Sequence, residues 1–195
     1  RISCPDSLVL ASMEDDDLLL PPLPNHLFTR DTSCWIYNGV SINSMMMPAR
    51  QRETINYEAI YRWHPLFAGS DFPVWSEGTQ AGPATVEGGD VQIIGNGAVL
   101  VGVSERTTSQ GIERLASRLF AGGTVNRIVA VEMNRTRAQM HLDTVMTMVD
   151  VGTFTIYVGL GKLPTLTLSP DGDKQISVTR NAPEDRYRVN AQALG

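Results

Sequence analysis

Apolar and polar positions along this chain change period several times, and each change marks an element. Cys34-Trp35-Ile36-Tyr37 is an apolar run closed by Asn38-Gly39, a dipeptide suited to the positive φ angles of a type I′ hairpin turn, with Val40 to Met47 as the returning strand. From Arg50 the period lengthens. Ile55, Ala59 and Trp63 recur at helical spacing until Pro65, which predicts a helix with one apolar face. The order then repeats: Val91 to Ile94, the turn Asn96-Gly97, Ala98 to Val103, and a second helix. That helix has Thr107 with Gln110 as its capping box, Ile112, Leu115, Ala116 and Leu119 on one face, and Gly122-Gly123 at its end. Val125 to Glu132 follows as a strand. The apolar run His141 to Asp150 is predicted as a buried strand; a third copy begins within it at Asp143, runs to Asp150 and turns near Gly152 into Phe154 to Val158.

Ahead of these copies, Ser7 to Ala11 reads as a short strand and Glu14 to Asp17 as a solvated acidic loop. The prolines between Leu18 and Pro24 forbid helix or central strand. An acid opens each copy: Asp31, Asp90 and Asp143, recurring roughly every 55 residues, long enough for a ββαβ unit. Units packed round an axis would bring these acids together, although a doubly wound sheet satisfies the same pattern. On a strand, His141 and Asp143 share one face. An isolated His-x-Asp is more often a histidine held by an acid at a strand end than a catalytic pair; the other acids change that weighting.

The length of 195 residues with 42% apolar and 19% charged positions suits one globular domain with a sizeable core. A net charge of -5 with scattered basic residues argues against nucleic acid as a partner. No apolar run reaches the roughly 18 residues that span a bilayer, so no membrane partner and a cytoplasmic location are expected. Cys4 and Cys34 form no metal-binding or redox pair, and both are expected to be reduced, buried thiols. The chain starts at Arg1 and ends just after Ala191-Gln192-Ala193-Leu194, which reads as a helix being cut, so a longer parent protein is expected. Clustered carboxylates require a counter-charge. A guanidinium supplies one for Asp31, Glu87 and Asp143 with His141 beside them; a divalent metal on His141, Asp143, Glu87 and Asp90 is the alternative.

Four stretches carry a resemblance to a known family. Leu23-Pro24-Asn25-His26-Leu27-Phe28-Thr29-Arg30-Asp31 comes first, followed by Met47-Pro48-Ala49-Arg50 with Arg52 and Glu53. Glu87-Gly88-Gly89-Asp90 and Ser104-Glu105-Arg106-Thr107 come next, and His141-Leu142-Asp143-Thr144-Val145 last. In order and spacing they resemble the arginine deiminases of the guanidino-group-modifying superfamily. The fold this implies is α/β, a partial five-fold pseudosymmetric β/α propeller of ββαβ repeats, of which residues 1–195 would form an incomplete catalytic domain of about three units. The family's helical insertion and C-terminal module have no counterpart here.

By the same resemblance, Asp31 and Asp143 grip a guanidinium, Glu87 orients it and partners the histidine, and His141 is the general acid/base. Asn25, Arg50 and Arg106 hold the substrate carboxylate, Phe28 lines the pocket, and Asp90 supports the residues that touch substrate. An arginine before a helix is also commonly a surface ion-pair partner, and that reading stays open for Arg50 and Arg106. The implied activity is hydrolysis of L-arginine to L-citrulline and ammonia through a cysteine thiouronium, with no metal or organic cofactor. The family's nucleophilic cysteine lies near its C-terminus, so the chain by itself is expected to be inactive. Dimethylarginine hydrolases, amidinotransferases and a noncatalytic guanidine-binding module remain alternatives, and homo-oligomerisation is open.

Overall fold

The computed structural model describes residues 7–172 and 175–182. Cys4 and the expected terminal helix at Ala191–Leu194 lie outside them. A ββαβ order is built twice. In the first unit, β1 (Ser33–Ile36) and β2 (Gly39–Ile42) form an antiparallel hairpin, α3 (Pro48–Trp63) crosses over, and β3 (Val74–Glu77) returns parallel to β2. In the second, β4 (Val91–Gly95) and β5 (Ala98–Val103) pair antiparallel, α4 (Ser109–Ala121) crosses over, and β6 (Arg127–Glu132) lies parallel to β5. The third copy departs from the expectation. Its hairpin, β7 (Met146–Asp150) with β8 (Thr153–Ile156), stands as a separate two-stranded sheet. The following strands, β9 (Thr165–Asp171) and β10 (Gln175–Arg180), extend the second sheet to the order β10-β9-β6-β5-β4.

The second sheet is buried on both faces, which is why β5 and β6 read as continuous apolar runs. Val99, Val101, Ile128 and Ala130 point into one cluster with Ile112, Leu115, Ala116 and Leu119 of α4 and with Cys34, Ile36 and Trp75 of the first sheet. Ala98, Leu100, Val129 and Val131 point to the opposite cluster, where Leu142, Val145 and Met146 bring in the third copy. Trp75 packs in the cluster that the two units share, and its indole N–H donates to the Ile36 carbonyl of its own unit at 3.1 Å. A Cβ at Gly39 would stand 2.5 Å from its ring, and one at Gly122 would stand 2.7 Å from it.

Several local expectations shift. The first hairpin turns on Tyr37-Asn38, since Ile36 pairs with Gly39 and Tyr37 has φ 52°. Gly39 is therefore required by the close approach of Trp75 rather than by the turn. The second hairpin does turn on Asn96-Gly97, both at positive φ. The returning strand of the first hairpin stops at Ile42, well short of Met47. Residues Leu8–Ala11 form a short helix, α1, in place of the expected strand, with the Ser7 hydroxyl accepting from Leu10 N–H. The α4 cap is Thr108, one residue later than expected, its hydroxyl accepting from Gly111 N–H. No helix among the described residues is long and apolar enough to cross a membrane.

The largest reversal is α3. Ile55 and Trp63, expected to face the core, are 51% and 66% exposed, whereas Arg50, Glu53 and Thr54 are buried. The periodicity is real, but the inward face of this helix is the polar one.

Candidate functional site

Three short helical turns precede the first strands of the three copies: α2 (Thr29–Thr32), a 3-10 turn at Gly88–Asp90 and another at Leu142–Thr144. The second packs against the other two. The acids Asp31, Asp90 and Asp143 thus sit in these turns rather than on strands, and the expected strand from His141 begins only at Met146. His141 and Asp143 do not share a strand face: His141 is extended and buried, and the chain turns at once so that Asp143 is exposed at the rim.

Glycines allow the turns to meet. A Cβ at Gly88 would lie 1.9 Å from the Arg30 carbonyl oxygen, and one at Gly89 would lie 2.8 Å from the His141 ring and 3.1 Å from Asp31 Oδ1. A Cβ at Gly102 would reach within 2.4 Å of Asp90 Oδ1. Side chains at these places would push the charged groups apart.

His141 is the centre of the cluster. Its Nε2 is 2.9 Å from Glu87 Oε2, and its Nδ1 is 3.8 Å from Asp31 Oδ1. Glu87 is fully buried, with its other oxygen accepting from Met46 N–H at 3.1 Å and its own N–H donating to Thr107 Oγ1. Burial works against the imidazolium, but the Glu87 hydrogen bond and the charges of Asp90, Asp31 and Glu87 outweigh it and raise the His141 pKa. The Asp143 carboxyl is also raised, by desolvation first; His141 pulls it down and the like charge of Asp31 adds to the rise.

The two arginines differ. Arg50 anchors the cluster from below: its η1 nitrogen donates to Asp31 Oδ2 at 2.7 Å, while Nε and its η2 nitrogen bind Glu53. The same η2 nitrogen donates to the Asn25 and Phe28 carbonyls, fixing the loop that carries those two exposed residues. Glu53 is the fully buried counter-charge, supported by the Thr32 hydroxyl at 2.9 Å. Arg106 is as buried as Arg50, but among the described residues its guanidinium makes no hydrogen bond to an oxygen. Its η1 nitrogen is 3.6 Å from Glu87, its Nε 3.8 Å from Glu105, and its η2 nitrogen 4.0 Å from Met140 Sδ.

The structure therefore brings Asp31, Glu87, His141, Arg50 and Arg106 together, places Asn25, Phe28 and Asp143 at the exposed margin, and seals Asp90 behind them. Glu53 appears in the sequence reading only as part of a motif. Its i+3 spacing from Arg50 is the signal that could have marked it as a partner. Donor atoms of Asp31, Glu87 and His141 lie within 4.8 Å of one another, a span that either a divalent cation or a guanidinium could occupy.

This fold is shared with solved structures of arginine-modifying enzymes. One is a cysteine-to-serine mutant of dimethylarginine dimethylaminohydrolase from Pseudomonas aeruginosa complexed with citrulline, 22% identical, with 69% of this chain and 47% of that chain covered at a TM-score of 0.54. Others are a cysteine-to-alanine mutant of AgrE with L-arginine (18% identity, 73% of this chain and 19% of that one, TM-score 0.56) and ArgZ, an arginine dihydrolase of cyanobacteria (18%, 70% and 19%, TM-score 0.55). The chain spans about half the length of the first of these and a fifth of the others. The arginine deiminase family model matches residues 2–192, and the chain belongs to that family.

Proposed function

We propose that the cluster binds the guanidinium of L-arginine and that, in the complete enzyme, it hydrolyses that group to give L-citrulline and ammonia. The observation that carries this reading is His141 held between two acids delivered by separate turns, with Nε2 at 2.9 Å from Glu87 and Nδ1 at 3.8 Å from Asp31. The chemistry follows from that placement. Asp31 and Asp143 neutralise and orient the cation while a cysteine thiolate attacks its central carbon. The C–N bond then breaks as His141 gives its proton to the departing ammonia. Water, deprotonated by His141, attacks the thiouronium carbon and releases the thiolate. Arg106, whose donors lack close acceptors, is the group we assign to the substrate carboxylate. A guanidinium is favoured over a metal dication because Arg50 and Arg106 already place two fixed positive charges against Asp31 and Glu87.

Cys34 is not assigned as the nucleophile. It is buried in the apolar cluster behind the site, and burial raises its thiol pKa more than the contact with Asn43 lowers it. Within a five-fold propeller, the described copies would furnish the acids and the histidine, with the thiolate coming from a further segment. Calorimetric titration with L-arginine tests the binding half of the reading: saturable binding by the wild-type chain, abolished by Asp31→Asn, is expected. Equal binding by both would refute it. A citrulline assay tests the second half, with no product expected from this chain alone and turnover abolished by Cys34→Ser being the contrary result. Competition with asymmetric dimethylarginine distinguishes the two nearest substrate classes.

A further inference from the structure

Asp90 is fully buried and, unlike Asp31, Glu53 and Glu87, pairs with no arginine among the described residues. Its partners are neutral donors. Ser104 Oγ donates to Oδ2 at 2.6 Å, and the Leu142 N–H donates to Oδ1 at 2.8 Å. Ser104 Oγ in turn accepts from the N–H groups of Arg106 and Thr107. One carboxylate therefore ties three loops together: its own turn, the Ser104–Thr107 loop that carries Arg106, and the start of the His141 turn. Gly102 leaves room for it on β5. Its position one residue from His141 along the bonded backbone is the relevant geometry.

We propose that Asp90 is a positioning residue for His141: through Leu142 N–H it fixes the backbone that carries the imidazole, and its charge holds that imidazole in the protonated, Glu87-bonded form. The meaning of that proton rests on the guanidine reading above; the geometry does not. The groups facing His141 are Glu87 and Asp90 from either end of the neighbouring turn, Asp31 from α2, and Asp143 from its own turn, with Arg106 on Glu87, Arg50 on Asp31 and Arg30 of α2 beyond them. Desolvation pushes the Asp90 carboxyl up to about 7, and the His141 pKa is raised as well, in part by the Asp90 charge, so the two groups titrate as a coupled pair.

The chain has three histidines, His26, His64 and His141, so each ring can be followed separately by NMR titration. Asp90→Asn keeps an acceptor for Leu142 N–H while removing the charge and the oxygen that accepts from the Ser104 hydroxyl. The His141 midpoint is expected to fall by about one pH unit, with His26 and His64 unmoved. A wild-type midpoint in folded Asp90→Asn would overturn the proposal, because a merely structural clamp would leave the titration alone. Should that variant not fold, Ser104→Ala decides the matter. Removing one donor makes Asp90 harder to ionise, so His141 moves the same way by less, and an unchanged midpoint overturns the proposal. L-Arginine added to the same samples separates the two readings. A lowered His141 midpoint without arginine binding sinks the guanidine reading alone; arginine binding with an unmoved midpoint sinks the Asp90 proposal alone.

Discussion

Arg50 and Arg106 are equally buried, each 6% exposed, yet they are held by different interactions. Arg50 is bound by two carboxylates and two carbonyls, so Arg50→Ala would leave Glu53 as an uncompensated buried charge. The expected result is a loss of about 3–5 kcal/mol of stability in urea unfolding, with L-arginine and agmatine binding weakened alike. Arg106 has donors without close acceptors. Arg106→Ala should reduce L-arginine affinity by about 1.5–3 kcal/mol while leaving agmatine, which lacks the carboxylate, unchanged. Equal losses for the two ligands in Arg106→Ala would mean a structural arginine there as well. At Gly89 the added Cβ of Gly89→Ala would press on the imidazole and on Asp31 together. Overpacking there is expected to cost about 1–3 kcal/mol and to abolish arginine binding, measurable as a lowered unfolding midpoint and a flat calorimetric trace.

At the scale of elements, legibility follows how much an element depends on its own sequence. The α4 face and the β5 and β6 runs were readable because their apolar residues are the ones that face the core, and both ends of α4 carry local cap chemistry. The α3 face was not, because periodicity gives the spacing of a stripe without saying which stripe turns inward. Here the burial of Arg50 and Glu53 beneath Asp31 overrides the apolar preference of Ile55 and Trp63. The cluster residues Asp31, Glu87 and His141 were legible from their motifs, whereas their exact contacts needed Gly88, Gly89 and Gly102, whose role is to be small in a place the sequence does not reveal. Likewise the strand expected at His141 was an apolar run whose first residues are drawn into a turn by the Leu142 N–H bond to Asp90. The packing account predicts a contrast between tryptophans. Trp75→Ala should cost about 3–5 kcal/mol in thermal or urea unfolding, since Trp75 packs in the cluster that the two units share. Trp63→Ala, on the exposed stripe, should stay within about 0.5 kcal/mol; similar losses for both would contradict the assigned orientation of α3.

Over the whole molecule, the buried titratable groups set a pH dependence whose sign can be stated. Asp90, raised in the folded state from 3.8 to about 7, binds its proton more tightly folded than unfolded. Its contribution is therefore fully present below about pH 4 and lost as pH rises through 7; His141, also raised, adds a loss in the same direction above its unfolded value of 6.5. Urea midpoints should thus decline between pH 5 and 8, more steeply in the wild type than in Asp90→Asn, and an increase over that range would contradict the assignment. The two sheets, the detached third hairpin and the three packed turns serve one arrangement: acids from separate copies converge on a histidine. The most direct test of that arrangement as a guanidinium site is a crystal structure of this chain soaked with L-arginine. The account predicts the guanidinium within hydrogen-bonding distance of Asp31 and Asp143, beside Glu87 and His141, with the carboxylate toward Arg106. L-Arginine bound elsewhere, or a metal ion seated on Asp31, Glu87 and His141, would contradict it.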